Sequence, residues 1–202
     1  MLIAVNAGNS RVLLGGYEED GQVFSASIAT EPKLTRDDYA CKLQQVLLLY
    51  GVNVRRIHGG IVSSVVPSMV GVLEGARRLL GIRDVIEVSS GVKTGLNIRS
   101  EQPRQVGSDR VAAAVAARAK GKLPCVAVTL GTATTFTALD GSGALVGSAI
   151  TAGVQLSLLA LREQAAQLPA VALHAKDAGI TARNPVAAMP LRAVSGPPPL
   201  GD

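Results

Sequence analysis

Val128-Thr129-Leu130-Gly131-Thr132-Ala133-Thr134-Thr135-Phe136-Thr137 sets two runs of strand-forming residues on either side of a tight turn rich in hydroxyls. Gly131 lets the backbone turn sharply and approach an anion. Thr132, Thr134 and Thr135 add hydroxyls beside main-chain N–H groups that can form an anion-binding concavity. The stretch reads as a phosphate cradle. Taken alone, it also reads as a threonine-rich hairpin whose β-branched residues simply favour strands.

The surrounding chain extends the pattern. Pro124 to Leu130 is the strand feeding the turn, Thr134 to Leu139 its partner, and Asp140-Gly141-Ser142-Gly143 a turn into a third strand, Ala144 to Ile150. After Gly153, the residues Val154, Leu158, Leu161 and Ala165 mark one face of a helix that ends before Leu168-Pro169. Upstream, Pro103 to Arg110 leads into an alanine-rich helix ending near Lys120-Gly121, with Ser108 as the expected N-cap.

The first half opens in the same way. Leu2 to Val5 is a short strand, Asn6-Ala7-Gly8-Asn9-Ser10 a loop, Val12 to Tyr17 a second strand and Gln22 to Ile28 a third. Thr35 caps a helix whose apolar positions Tyr39, Leu43, Val46, Leu47 and Tyr50 recur at helical spacing until Gly51. Gly59 to Val66 reads as a buried strand and its turn. Pro67 starts a helix that Gly81 closes, and Asp84 to Val88 is a further strand. Two lobes, 1–102 and 103–202, each opening with strand, glycine loop and strand, suggest a duplicated α/β architecture with a ligand cleft between them.

Composition narrows the function. The 202 residues, 48% hydrophobic and 17% charged, suit a soluble globular fold. With no Trp, three Tyr and two Phe, the core must come from aliphatic residues, and the aromatics are too few for a base-stacking platform. The net charge of +5 is scattered in pairs such as Arg55-Arg56 and Arg77-Arg78, without a basic stripe, so nucleic acid is not expected as a partner. Cys41 and Cys125 are expected as buried thiols, and isolated His58 and His174 form no metal-ligand pattern. Leu2 to Val5 is too short for a signal peptide and no run is long enough to cross a bilayer, giving an expected cytoplasmic location without a membrane role.

Five ordered motifs carry a likeness: Asn6-Ala7-Gly8-Asn9-Ser10, Ser63-Ser64-Val65-Val66-Pro67, Gly91-Val92-Lys93-Thr94-Gly95, Pro103 to Arg110, and Gly131 to Phe136. Through them the chain resembles the type III pantothenate kinases and Baf-like proteins of the acetate-kinase, sugar-kinase, heat-shock-chaperone and actin superfamily. The resemblance implies duplicated ribonuclease-H-like lobes and ATP-dependent phosphorylation of pantothenate, the first step towards coenzyme A. It also implies Mg²⁺, a monovalent cation (K⁺ or NH₄⁺) and a dimer. By the same resemblance, Asn6, Gly8, Asn9, Ser10, Gly131, Thr132, Thr134 and Thr135 hold ATP phosphates, Gly107, Ser108, Asp109 and Arg110 shape the pantothenate pocket, and Asp109 is the general base.

The departures fall on charge. Asn6 stands where the family has a metal-associated Asp, which removes a carboxylate from the Mg²⁺ position, and Thr129 stands at the family's monovalent-cation Asp. Ala182-Arg183-Asn184-Pro185 has Pro185 in place of the Thr of the family's Arg-Asn-Thr motif, and the proline-rich end implies an incomplete second lobe. The expectation is a weakly active or inactive subunit that pairs with a complete homologue, with the helix from Val154 to Ala166 as packing surface. The alternatives are a divergent active kinase using Asn6 as metal ligand, and a regulatory protein that binds ATP or pantothenate without turnover.

Overall fold

Leu2–Ala7 (β1) alternates with period two: Ile3, Val5 and Ala7 are buried, while Leu2 and Asn6 are exposed. One face of this strand is therefore committed to a core. β1 sits at the centre of a five-stranded sheet ordered β3-β2-β1-β4-β5, in which Arg11–Glu18 (β2) and Gly21–Ala29 (β3) form an antiparallel meander with it. Gly59–Ser64 (β4) and Asp84–Glu87 (β5) continue the sheet in parallel on the other side.

Parallel neighbours need crossovers, and Arg36–Leu49 (α1) and Pro67–Leu79 (α2) supply them. Both crossovers step the same way across the sheet, so the right-handed rule puts both helices on one face. Tyr39, Leu43 and Leu47 of α1 and Met69, Leu73 and Ala76 of α2 accordingly share one core with Ile3, Val5, Val12, Leu14 and Phe24. Thr35 and Asp38 form a capping box at the start of α1. Gly51 and Gly81, at φ +68° and +78°, take the left-handed turns that end the two helices.

Ser108–Ala119 (α3) packs against β4 and buries Val111 and Ala114 in a second, smaller core with Val88, Val106, Leu139 and Leu145. Cys125–Leu130 (β6), Ala133–Leu139 (β7) and Leu145–Ala152 (β8) form a three-stranded sheet in that order, repeating the opening meander. The two-residue link between β6 and β7 can join only antiparallel strands. Val154–Gln164 (α4) follows.

The structure, a computed structural model, describes residues 1–89 and 91–164. The described residues resolve into two compact units: Met1–Ala127 with Thr137–Gly147, and Val128–Phe136 with Ser148 to Gln164. Helix α3, assigned to the second lobe by its position after residue 102, belongs to the first of these units.

Several local expectations change. Cys41 is exposed and Cys125 half-buried, because the apolar stripe of α1 runs through Tyr39, Ala40 and Leu43 and leaves position 41 to solvent. Tyr50 is also exposed; its ring stacks on Phe24 at 4.9 Å and its hydroxyl donates to the Ser25 carbonyl oxygen. The cap of α3 is Gly107, not Ser108. Leu158 is the buried residue of α4, whereas Leu161 on the expected face is exposed. His174, Ala182 to Pro185 and the proline-rich end lie outside the described residues, as does Ala165.

Candidate active site

The first loop leaves β1 at Asn6 and Ala7 and returns through Arg11. Gly8 closes it by donating its N–H to the Arg11 carbonyl oxygen at 2.9 Å, and its own carbonyl oxygen accepts from the Thr30 hydroxyl at 2.7 Å. The Thr30 N–H donates to the Ser10 carbonyl oxygen, so the end of β3 braces both sides of the loop. Asn9 and Ser10 are exposed at its tip. Gly8 is not in the left-handed region; a Cβ there would stand 3.3 Å from the Arg11 oxygen, a tight fit rather than a prohibition.

Asn6 points away from the α1–α2 face, and in the parallel β1–β4 register it is paired with Ser63. Ser63 is 6% exposed because α3 covers it. Its hydroxyl donates to the Ser108 hydroxyl at 3.0 Å, which donates to the Ser64 carbonyl oxygen at 2.9 Å. The start of α3 is thereby attached to the end of β4, beside the strand that carries Asn6.

Asp109 lies in the first turn of α3, half-buried. A Cβ on Gly107 would stand 2.6 Å from its Oδ1 and 3.5 Å from Nη2 of Arg110. The Gly-x-Asp-Arg spacing therefore has a steric reason: the carboxylate and the guanidinium converge over the bare α-carbon of residue 107. Arg110 is steadied by donating from Nη2 to the Gln105 carbonyl oxygen at 3.3 Å. A carboxylate held this way at the mouth of a helix suits a base that accepts a proton from a substrate hydroxyl.

The second loop belongs to the other unit. Gly131 and Thr132 are exposed, Thr134 is half-buried and Thr135 is 6% exposed. Gly131 has no positive φ, and a Cβ there would meet nothing closer than the Ala133 oxygen at 3.6 Å, so the fold alone does not demand glycine at 131. The demanding glycine is Gly153, which in the sequence marks only the start of a helix. Its N–H donates to the Thr132 carbonyl oxygen, and a Cβ would fall 2.1 Å from the Gly131 oxygen and 2.6 Å from that of Thr132. The start of α4 thus rests directly on the loop. Thr129, at the cation-associated position, is exposed on β6.

The hydroxyl of Thr135 is buried without a hydrogen-bond partner, as is that of Thr137 on the same face of β7. A buried hydroxyl left unsatisfied costs roughly 1–3 kcal/mol, which a phosphate oxygen at the loop would offset at Thr135. The loop therefore fits a nucleotide phosphate. The metal position fits less well. No group of three or more His, Cys, Asp or Glu side chains stands together among the described residues, and Asn6 offers only a neutral amide oxygen.

A conserved Campylobacter jejuni protein of the Baf transcriptional activator family has a solved structure that shares this fold. The TM-score is 0.53 at 15% identity, over 94% of this chain and 72% of that one. The fold is thus a mixed α/β one, with the ribonuclease-H-like sheet order in its first unit. Sequence relatives are more specific. The type III pantothenate kinase profile matches residues 2–194, and the type III pantothenate kinase of Geotalea daltonii is 36% identical over 189 residues, 94% of this chain and 73% of the relative. The chain belongs to the type III pantothenate kinase family.

Proposed function

We propose that this chain binds ATP and pantothenate and phosphorylates pantothenate slowly on its own, its rate limited by the missing carboxylates at Asn6 and Thr129. The observation that carries the reading is the Asp109 carboxylate, folded over Gly107 in the first turn of α3. In the reaction Asp109 accepts the proton of the pantothenate hydroxyl as its oxygen bonds to the γ-phosphorus. The bond from that phosphorus to the bridging oxygen breaks, and ADP leaves with the electron pair.

Arg110 lies beside Asp109, and a guanidinium there pairs with the substrate's carboxylate or with charge developing on the transferred group. Asn9 and Ser10, and separately Gly131, Thr132, Thr134 and Thr135, offer N–H and hydroxyl donors to phosphate oxygens, while Gly8, whose N–H is taken by the Arg11 carbonyl oxygen, shapes the turn. A bound Mg²⁺ supplies charge neutralisation in such reactions, and a monovalent cation adds to it; Asn6 and Thr129 are the residues at those positions. Each offers a neutral oxygen where a carboxylate would attract the ion, which supports a slow rate rather than a different reaction.

The same reading includes a cytoplasmic dimer and, more specifically, pairing with a complete homologue that contributes the lost carboxylates. Exposed Leu156, Leu159 and Leu161 on α4 support an apolar partner surface. The test is to assay the chain alone and mixed with a complete homologue. The expected result is a low rate alone and a gain on mixing; an ordinary enzymatic rate alone, or no association and no gain, overturns the impaired-subunit reading.

A further inference from the structure

We infer that Ser63 and Ser108 act as a pair of positioning residues that fix Asp109 relative to the first loop; this rests on the kinase reading above. The sheet holds a polar residue at a packing position. Ser63 lies near the end of β4, 6% exposed, at a place where an aliphatic residue would add to the packing beneath α3. The fold retains a hydroxyl there and satisfies it with one specific partner, the hydroxyl of Ser108, which is itself 8% exposed.

That contact spans 45 positions of sequence and ties the first residue of α3 to β4. The second link, from the Ser108 hydroxyl to the Ser64 carbonyl oxygen, fixes the rotamer of Ser108 and leaves its oxygen free to accept from Ser63. A helix cap would have been the simpler use of Ser108, yet Gly107 caps α3 without a side-chain bond. The serine is therefore spent on attaching the helix and not on ending it.

The attachment has a functional address at each end. Ser63 is paired in register with Asn6, the metal-associated position, and Ser108 immediately precedes Asp109. Since β1 and β4 are hydrogen-bonded in parallel, the Ser63–Ser108 contact sets how far the first turn of α3, and so the Asp109 carboxylate, stands from the first loop. Without it the first turn of α3 keeps the Ser108–Ser64 bond, the packing of Val111 and the Gly107 backbone bonds, but loses its side-chain tie to Ser63, the residue in register with Asn6. A displacement of about 1 Å at a reacting group costs up to about 100-fold in rate.

The experiment uses the full chain and reads both turnover and binding. Ser63→Ala and Ser108→Ala are each expected to lower kcat for pantothenate phosphorylation roughly 10- to 100-fold. KM for ATP is expected to stay within about twofold, because the residues assigned to the ATP phosphates do not include this pair. Because the pair acts as one unit, the double variant falls no further than the weaker single one. Ser63→Thr, which keeps the hydroxyl on a strand, restores the rate. Calorimetric titration with pantothenate alone gives the same ranking of affinities.

Independent, multiplying losses in the double variant overturn the inference. So does unchanged kcat and pantothenate affinity in a Ser63→Ala protein that melts as the parent does. Those results leave the kinase reading standing. A parent chain that binds pantothenate without phosphorylating it overturns the kinase reading alone, since the order of affinities still decides the role of the Ser63–Ser108 pair. A parent chain with neither binding nor turnover removes both.

Discussion

At Ala7–Arg11 the chain turns on top of a filled core, with Ala7 and Val12 fully buried and the loop braced from β3 by Thr30. At Leu130–Ala133 it makes a similar turn at the end of strands whose Val128 and Leu130 are 51% and 77% exposed, braced by the backbone of Gly153. Both loops present small residues and donors, but one is held by side chains packed beneath it and the other by a close main-chain contact. A loop built on a core is held by many contacts; one that leans on a single close backbone approach depends on the glycine that permits it.

The largest effect expected is on chemistry. Asp109→Asn should lower pantothenate phosphorylation by roughly 10² to 10⁴, the usual contribution of a positioned base, with the melting temperature of the first unit unchanged. Steady-state kinetics beside thermal unfolding check this, and a near-parental rate would remove Asp109 from the mechanism.

Next comes the contrast between the loops. Gly153→Ala forces a Cβ into the backbone of Gly131 and Thr132, and such overpacking costs typically about 1–3 kcal/mol. ATP affinity by calorimetry should fall with the stability of the second unit. Gly131→Ala meets only ordinary contact, so it should leave unfolding unchanged while weakening ATP, because the added methyl occupies space that a phosphate would use. If both variants behave alike, the distinction between a structural and a ligand-facing glycine fails.

Smaller effects fall in the first unit away from the site. Thr35→Ala removes half of the capping box and should cost about 1 kcal/mol by denaturant unfolding, without altering ligand binding. The Asp38 carboxyl is held below its ordinary value, chiefly by the hydrogen bond from the Thr35 hydroxyl and then by the one from the Thr35 N–H. A carboxyl depressed in the folded state adds stability above its unfolded value near pH 4, and that increment is lost as pH falls through the lower folded-state value. Melting curves of Asp38→Asn should therefore lose less than the parent between neutral and strongly acidic pH.

Much of the first unit was legible because its signals are local. The apolar run from Leu2 to Val5, the helical spacing of Tyr39, Leu43 and Leu47, and the glycines at 51 and 81 each report on their own few residues. The roles of Gly153 and Ser63 were not legible, because each depends on a partner distant in sequence: Gly153 on the backbone at 131 and 132, Ser63 on Ser108. A signal for Ser63 is present, a serine pair ending an otherwise apolar strand, but nothing local to it names Ser108 as the partner. Ser108 looks like a cap in the sequence for the same reason: a serine ahead of an alanine-rich helix has one local use, and the long-range one wins. In the Gly-x-Asp-Arg motif the residues were readable, while the reason for glycine, room for the carboxylate, needed coordinates.

The central claim is that Asp109 is in place while the charge at residue 6 is missing. The most direct measurement compares pantothenate phosphorylation by the parent chain, Asn6→Asp, and Asn6→Asp combined with Asp109→Asn. The account predicts a slow parent, a gain of tenfold or more on restoring the carboxylate, and loss of that gain when Asp109 is removed. A parent at ordinary enzymatic rates that is indifferent to Asn6→Asp would contradict it.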